Sequence, residues 1–101
     1  MNVVYTASAK QDLEQAFNWY ENQLLGLGKQ FLHQVEQVIK RMVHFPEIYP
    51  CVYQFESQCF RRAILKQFPY VMFYTIELDE IVIHAVFDSR QFPNRYFMKE
   101  E

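Results

Sequence analysis

The sequence predicts an α+β domain in which an antiparallel sheet of four to five strands packs against an N-terminal helical hairpin, in the order β-α-α-β-β-β-β. Two periodicities and the break between them carry that prediction. From Ala9 to Phe45 apolar residues recur every three or four positions, the spacing of one helical face. From Cys51 to Phe87 short runs rich in Val, Ile, Phe and Tyr are punctuated by turn residues, the pattern of strands. Pro46 and Pro50 stand between the two regimes, where proline lacks the N–H a helix requires and disfavours helix in the residue before it.

Taken in order, Asn2–Tyr5 is a brief β-branched and aromatic run, expected as a strand at or near a sheet edge. Ser8-Ala9-Lys10-Gln11 has the form of a capping box, so a first helix is expected to start at Ser8. Ala9, Leu13, Ala16, Phe17, Tyr20 and Leu24 form its apolar stripe, with Trp19 and Tyr20 expected in the core and Lys10, Asp12, Glu14 and Glu21 facing water. Gly26 and Gly28 are expected to stop it. In the second helix Phe31, Val35, Val38, Met42 and Phe45 repeat at intervals close to a coiled-coil seam, widened by Leu32, Ile39 and Val43. The short connection makes the pair an antiparallel hairpin, with enough apolar surface to cover a sheet and to offer a groove to a partner.

Cys51–Phe55 and Cys59–Lys66 are expected as strands around a Glu56-Ser57-Gln58 turn. In the second, Phe60, Arg62, Ile64 and Lys66 share one face and Arg61, Ala63 and Leu65 the other, so the two arginines point opposite ways. The last hairpin centres on Asp79-Glu80, which would pair Leu78 with Ile81, Ile76 with Ile83, Tyr74 with Ala85 and Met72 with Phe87. That register gives one wholly apolar face for the helices. On the other, Glu77, Thr75, His84 and Asp88 sit among Phe73, Val82 and Val86, a mixed face with Arg61, Arg62 and Lys66 before it and Arg90 and Arg95 after it. Residues 88–97 read as a loop leading into a short terminal segment.

The 101 residues, 50% hydrophobic and 18% aromatic, support one domain, residues 1–101, with one modest core. No apolar run approaches the roughly 18 residues a membrane span needs, and MNVVYTASAK lacks the form of a secretion signal, so a cytoplasmic protein is expected. In that compartment Cys51 and Cys59 are expected to stay reduced, although they would lie near each other across a short hairpin. His33, His44 and His84 make no metal-ligand spacing with one another or with the cysteines, and no metal or cofactor is expected. A formal charge of −2 argues against a protein that coats nucleic acid. The charge is unevenly spread: residues 1–60 carry four basic and six acidic side chains, residues 61–99 six basic and four acidic.

No Ser-His-Asp set, Cys-His nucleophile, phosphate loop or carboxylate pair stands out by spacing. What remains is cationic. Arg61 or Arg62, Lys66, Arg90 and Arg95, with Tyr70, Tyr74 and Tyr96 nearby, would suit a phosphate backbone with bases stacked on the rings. The same residues would also serve as a solvated face whose arginines pair with Glu77 and Asp88.

The stretch RRAILKQFPYVMFYTI, continued by EIVIHAVFDSRQFP, resembles the RelE/ParE family of bacterial toxins from toxin–antitoxin modules, and YTASAKQDLEQAFNWYENQ resembles that family's first helix. The resemblance implies a helical hairpin on one face of an antiparallel sheet and an antitoxin whose C-terminal segment wraps the toxin. It implies one of two activities. RelE-like members are ribosome-dependent, metal-independent mRNA endonucleases, and on that reading Arg61, Arg62, Lys66, Arg90 and Tyr96 would be catalytic. ParE-like members bind DNA gyrase, with Arg61, Arg62, Arg90 and Arg95 as the target-binding positions and Phe17, Tyr20, Phe31 and Val35 facing the antitoxin. Asp88 stands where many members carry a histidine, and residues 47–60 contain no Lys or Arg. Both departures favour the gyrase-binding, non-enzymatic reading over the nuclease; an inactive module that only binds its antitoxin is a third.

Overall fold

A computed structural model describes residues 1–90. Its elements are β1 (Asn2–Tyr5), α1 (Ala7–Gln23), α2 (Leu27–His44), β2 (Cys51–Phe55), β3 (Gln58–Ile64), β4 (Tyr70–Glu77) and β5 (Glu80–Asp88). The five strands form one sheet in the order β1-β5-β4-β3-β2, with the helical hairpin on one face. β1 is an edge strand, as expected, but it pairs with β5 in parallel, so the sheet is mixed rather than antiparallel. A four-residue strand carries no sequence mark of its direction; that direction comes from Thr6, whose N–H donates to Ile83 O at 3.0 Å as the chain turns into α1. Among the described residues no helix is long and apolar enough to cross a membrane.

The first helix begins before the predicted cap. Thr6, not Ser8, is the N-cap, its Oγ1 accepting from the Ala9 N–H at 3.0 Å. The hairpin is then tied by Glu21, which does not face freely into water. Its two carboxylate oxygens accept from the N–H groups of Gly26 and Gly28, each at 2.9 Å, and so place a negative charge at the start of α2, where the helix dipole favours it. α1 itself ends at Gln23; Gly26 caps α2 with φ 91°, and Gly28 lies inside α2. A Cβ on Gly28 would sit 2.8 Å from Phe17 O, so the glycine is there to let two helix backbones approach.

Phe31, Val35, Val38 and Met42 of the predicted seam are all buried, packed with Ala9 and Ala16 against Ala63, Met72, Tyr74, Ile81, Ile83 and Val86 of the sheet. Phe45 is the exception at 62% exposed, because α2 stops at His44 and the chain leaves the seam. Trp19 also departs from expectation: it is 59% exposed, while its neighbour Tyr20 turns inward against Phe31, Phe68 and Tyr70 with centroids 4.9–5.9 Å apart.

In the β2–β3 hairpin Glu56 and Ser57 both have left-handed φ, 49° and 72°, as the tight primed turns of hairpins require. The hairpin joins Cys51 and Cys59 in a disulfide with Cα atoms 5.6 Å apart, which overturns the expectation of reduced thiols. Compartment outweighed nearness in that expectation; an irregularity between Cys51 and Tyr53 lets Cys51 reach diagonally across the ladder.

The β4–β5 hairpin differs most from the predicted register. Its turn lies at Leu78-Asp79, with Leu78 at φ 55° and 97% exposed instead of facing Ile81. Ile76 pairs with Ile81 and Tyr74 with Ile83, but then Phe73 pairs with Ala85, Met72 with Val86, Val71 with Phe87 and Tyr70 with Asp88. His84 is the residue left over, the extra member of a β-bulge. Past it the faces exchange. Val86 joins Ile81 and Ile83 beneath the helices, while Ala85 and Phe87 join Val71 and Phe73 in a second buried cluster on the opposite face.

The bulge is held by the first turns of α1. Thr6 Oγ1 donates to His84 O at 3.3 Å, and Asp12 Oδ2 accepts from the Val86 N–H at 3.0 Å, although the sequence pattern placed Asp12 in water. Removing that acceptor leaves a backbone N–H of a buried residue unsatisfied. Asp12→Ala is expected to lower stability by about 1–3 kcal/mol, whereas Asp12→Asn, which keeps an oxygen in place, should retain most of it; urea unfolding midpoints measure both.

Candidate functional site

The bulge decides which polar side chains meet, and it divides the predicted mixed face into two groups. The first lies on the face away from the helices. Thr75, 1% exposed, donates through Oγ1 to Glu77 Oε2 at 2.7 Å and stands 2.8 Å from His84 Nε2. A hydroxyl has one proton to give, so with Glu77 accepting it Thr75 accepts from His84, which assigns the ring hydrogen to Nε2. Phe60 packs on the imidazole with centroids 5.0 Å apart, Tyr53 on Phe60 at 6.0 Å, and Phe55 stacks on Tyr53 at 6.5 Å. This is not a nucleophilic triad, because the carboxylate reaches the hydroxyl instead of the far side of the imidazole, and the hydroxyl is sealed from solvent. It braces the bulge from the sheet's outer face. Burial pushes the His84 pKa down, with Glu77 pulling it partly back up.

The second group sits at the end of β5, beside α1. Tyr70, the ladder partner of Asp88, packs on Tyr20 and Phe31, so Asp88 lies on the helix side of the sheet. Arg90 grips its carboxylate with both Nε and Nη2, and the Arg90 N–H adds a third bond to Oδ1 at 2.8 Å. Those hydrogen bonds hold the Asp88 carboxyl below its ordinary range and raise the guanidinium in turn. Burial raises the phenols of Tyr20 and Tyr70, and the Asp88 charge adds to both. A shallow cleft lined by Asp12, Trp19, Tyr70 and Asp88 opens next to this pair.

The remaining predicted positions fall as follows. Arg61 and Arg62 do point opposite ways. The Arg61 guanidinium donates to Tyr49 O at 2.7 Å and Glu47 O at 3.2 Å, bracing the link between α2 and β2, whereas Arg62 is exposed and in register with Phe73 on the outer face. Lys66 is exposed in the link between β3 and β4. Arg62 and Arg90 therefore belong to different faces. Arg95 and Tyr96 lie outside the described residues.

Of the four residues expected to face an antitoxin, Phe31 and Val35 are core at 0% and 2% exposed, and Phe17 and Tyr20 are half-buried. What the hairpin shows to solvent is Trp19, Leu24 and Leu25, the last 88% exposed. The sequence signal for Trp19 was its place off the line Ala9, Leu13, Ala16, Tyr20. An apolar cleft at the other end, lined by Met1, Phe45, Pro46, Ile48 and Ile76, gathers none of the predicted residues. Among the described residues no group of His, Cys, Asp or Glu is placed to hold a metal ion.

Residues 3–92 match the family model for the ParE toxin of the type II toxin–antitoxin system parDE. Among solved structures the chain is similar to one from the chromosomal ParDE TA system of P. aeruginosa, with a TM-score of 0.60 and 16% identity over 85% of this chain and 92% of that one. At that identity the likeness speaks for the fold. A comparison with curated proteins found no match.

The His84 brace generates a pH dependence. Because burial lowers its folded pKa, the unfolded chain binds the proton more readily between that value and about 6.5. Stability should be full above about pH 6.5 and fall as the pH drops from there towards the folded pKa. His84→Gln should flatten that limb, seen as a smaller difference between unfolding midpoints at about pH 7.5 and about pH 5, a range above the titration of Asp88.

Proposed function

Because this chain belongs to the ParE toxin family of type II toxin–antitoxin systems, we propose that it is a cytoplasmic toxin that arrests growth by binding DNA gyrase and is neutralised by a cognate antitoxin. The observation that favours a protein target over RNA cleavage is how the arginines are engaged. Arg61 is bound to backbone carbonyls, Arg90 is paired with Asp88, and Arg62 faces the other way from Arg90. Stabilising a pentavalent phosphate needs cations that converge on one point, and a carboxylate at the centre of the Arg90 group opposes a phosphate. An arginine held in a fixed orientation by Asp88, which shares a cleft with the exposed Trp19, suits a protein interface instead. For the antitoxin, the exposed Trp19, Leu24 and Leu25, with half-buried Phe17 and Tyr20, supply the apolar face of the hairpin.

Purified protein added to a gyrase supercoiling assay and to a ribosome-programmed translation extract separates the readings. Inhibited supercoiling with normal translation is the expected result. The reverse would identify a RelE-like endonuclease, and silence in both an inactive antitoxin-binding module. Arg90→Ala should raise the inhibitory concentration by about tenfold or more, as for an interface arginine worth over about 1.4 kcal/mol, while the antitoxin still co-purifies. Undiminished growth arrest by that variant would remove Arg90 from the target-binding surface.

A further inference from the structure

We propose that Cys51 and Cys59 are a reversible dithiol–disulfide pair whose oxidation state sets how firmly β2 is held to the sheet. Among the described residues β2 is an outermost strand and pairs on one side only, with β3. None of its five residues is buried: Tyr53 is half-buried, and Cys51, Val52, Gln54 and Phe55 are exposed. Apolar burial therefore anchors this strand least of all the sheet's long strands, and such segments open at the lowest free energy. The ladder is also irregular between Cys51 and Tyr53, so regular pairing fails beside the residue that the disulfide secures.

The pair is placed to exchange. Cys51 is exposed and Cys59 half-buried, so a small thiol or disulfide reaches the bridge from solvent. In the oxidising direction one cysteine thiolate attacks glutathione disulfide, forming a mixed disulfide and releasing one glutathione. The second cysteine thiolate attacks the protein sulfur of that mixed disulfide and expels the other glutathione. Two protein thiols are oxidised, one small disulfide is reduced, and the two protons pass to the two glutathione thiolates.

The effect is confined to the edge. The link before β2 has its own anchors: Tyr74 OH donates to Pro46 O at 2.7 Å, Arg61 to Glu47 O and Tyr49 O, and the Arg62 N–H to Pro50 O at 3.1 Å. When the disulfide opens, residues 51–57 fray from β3 and Tyr53 leaves Phe60, uncovering the β3 edge and the aromatic row that leads to His84. The inference stands on the hairpin alone and does not depend on the identity of the toxin's target.

The test equilibrates the full chain in glutathione buffers of graded oxidised-to-reduced ratio, counts free thiols by alkylation and mass, and measures amide exchange of residues 51–55. One transition that takes up or releases both thiols together is expected, with β2 amides exchanging about ten- to a hundredfold faster in the reduced form and β4 and β5 unchanged. A Cys51→Ser, Cys59→Ser double variant should exchange fast at every ratio. Equal β2 exchange in both forms, oxidation that stops at the mixed disulfide, or loss of protection throughout the sheet on reduction would each overturn the proposal.

Discussion

One inserted residue in β5 governs the layout of this molecule. His84 has no partner in the β4–β5 ladder, and everything C-terminal to it on that strand has exchanged faces relative to a regular strand. A bulge interrupts the ladder and must have its backbone groups satisfied elsewhere. Here α1 supplies the partners. Thr6 caps the helix and at the same time binds Ile83 O and His84 O, while Asp12, within the second turn, accepts from Val86 N–H. The same bonds that stabilise the bulge also fix the height and rotation of α1 on the sheet. With α1 fixed, Glu21 positions α2 through its two glycine contacts.

The electrostatic layout follows from that geometry. Without the bulge, Asp88 would share a face with Thr75, Glu77 and His84, and Arg90 would bring a cation to three polar groups. With it, His84 is braced among aromatic rings on the outer face, and Asp88 draws Arg90 to the helix side beside Tyr20 and Tyr70. An exposed ion pair of this kind adds little to stability. What it does is orient: two side-chain bonds and one backbone bond leave the Arg90 guanidinium little rotational freedom, while the side chain remains 72% exposed.

Much of this fold was legible because its causes are local or repetitive. The seam from Phe31 to Met42 is buried as its spacing demands, β1 is an edge strand, and the opposed directions of Arg61 and Arg62 follow from strand parity. The bulge was hidden because EIVIHAVFD alternates without fault: Ile81, Ile83, Ala85 and Phe87 are all apolar, so a regular strand fits the pattern as well as the true inward set of Ile81, Ile83 and Val86. The turn was misplaced because Leu78 holds a left-handed φ that sequence rules reserve for Gly, Asn or Asp. Ser8 matched a capping box better than Thr6 did, but only Thr6 is near β5. For the bulge and the cap, a contact distant in sequence outweighed a local preference. Strand parity leaves open which of Arg61 and Arg62 shares a face with Arg90; the bulge carries Asp88 and Arg90 to the helix side, so it is not Arg62.

Stability and accessibility run in opposite directions across the sheet. β4 and β5, at its centre, have residues buried on both faces, in the main core and in the cluster of Val71, Phe73, Ala85 and Phe87. A strand sealed on two sides cannot present side chains to a partner, and it is where a bulge can be held rigidly enough to aim neighbouring groups. The groups so aimed emerge at the margins: Arg90 where β5 ends, and Glu77 and His84 towards the β4–β5 turn, with Arg62 on the neighbouring β3. β2 lies further out still, without a buried residue and with a covalent bridge where its ladder is irregular. If, as proposed, the toxin binds a protein target as well as an antitoxin, its contact residues belong on such margins, since only there does exposing a side chain leave the core intact. The two buried faces of β4 and β5 are what make those exposed margins affordable in a domain of this size.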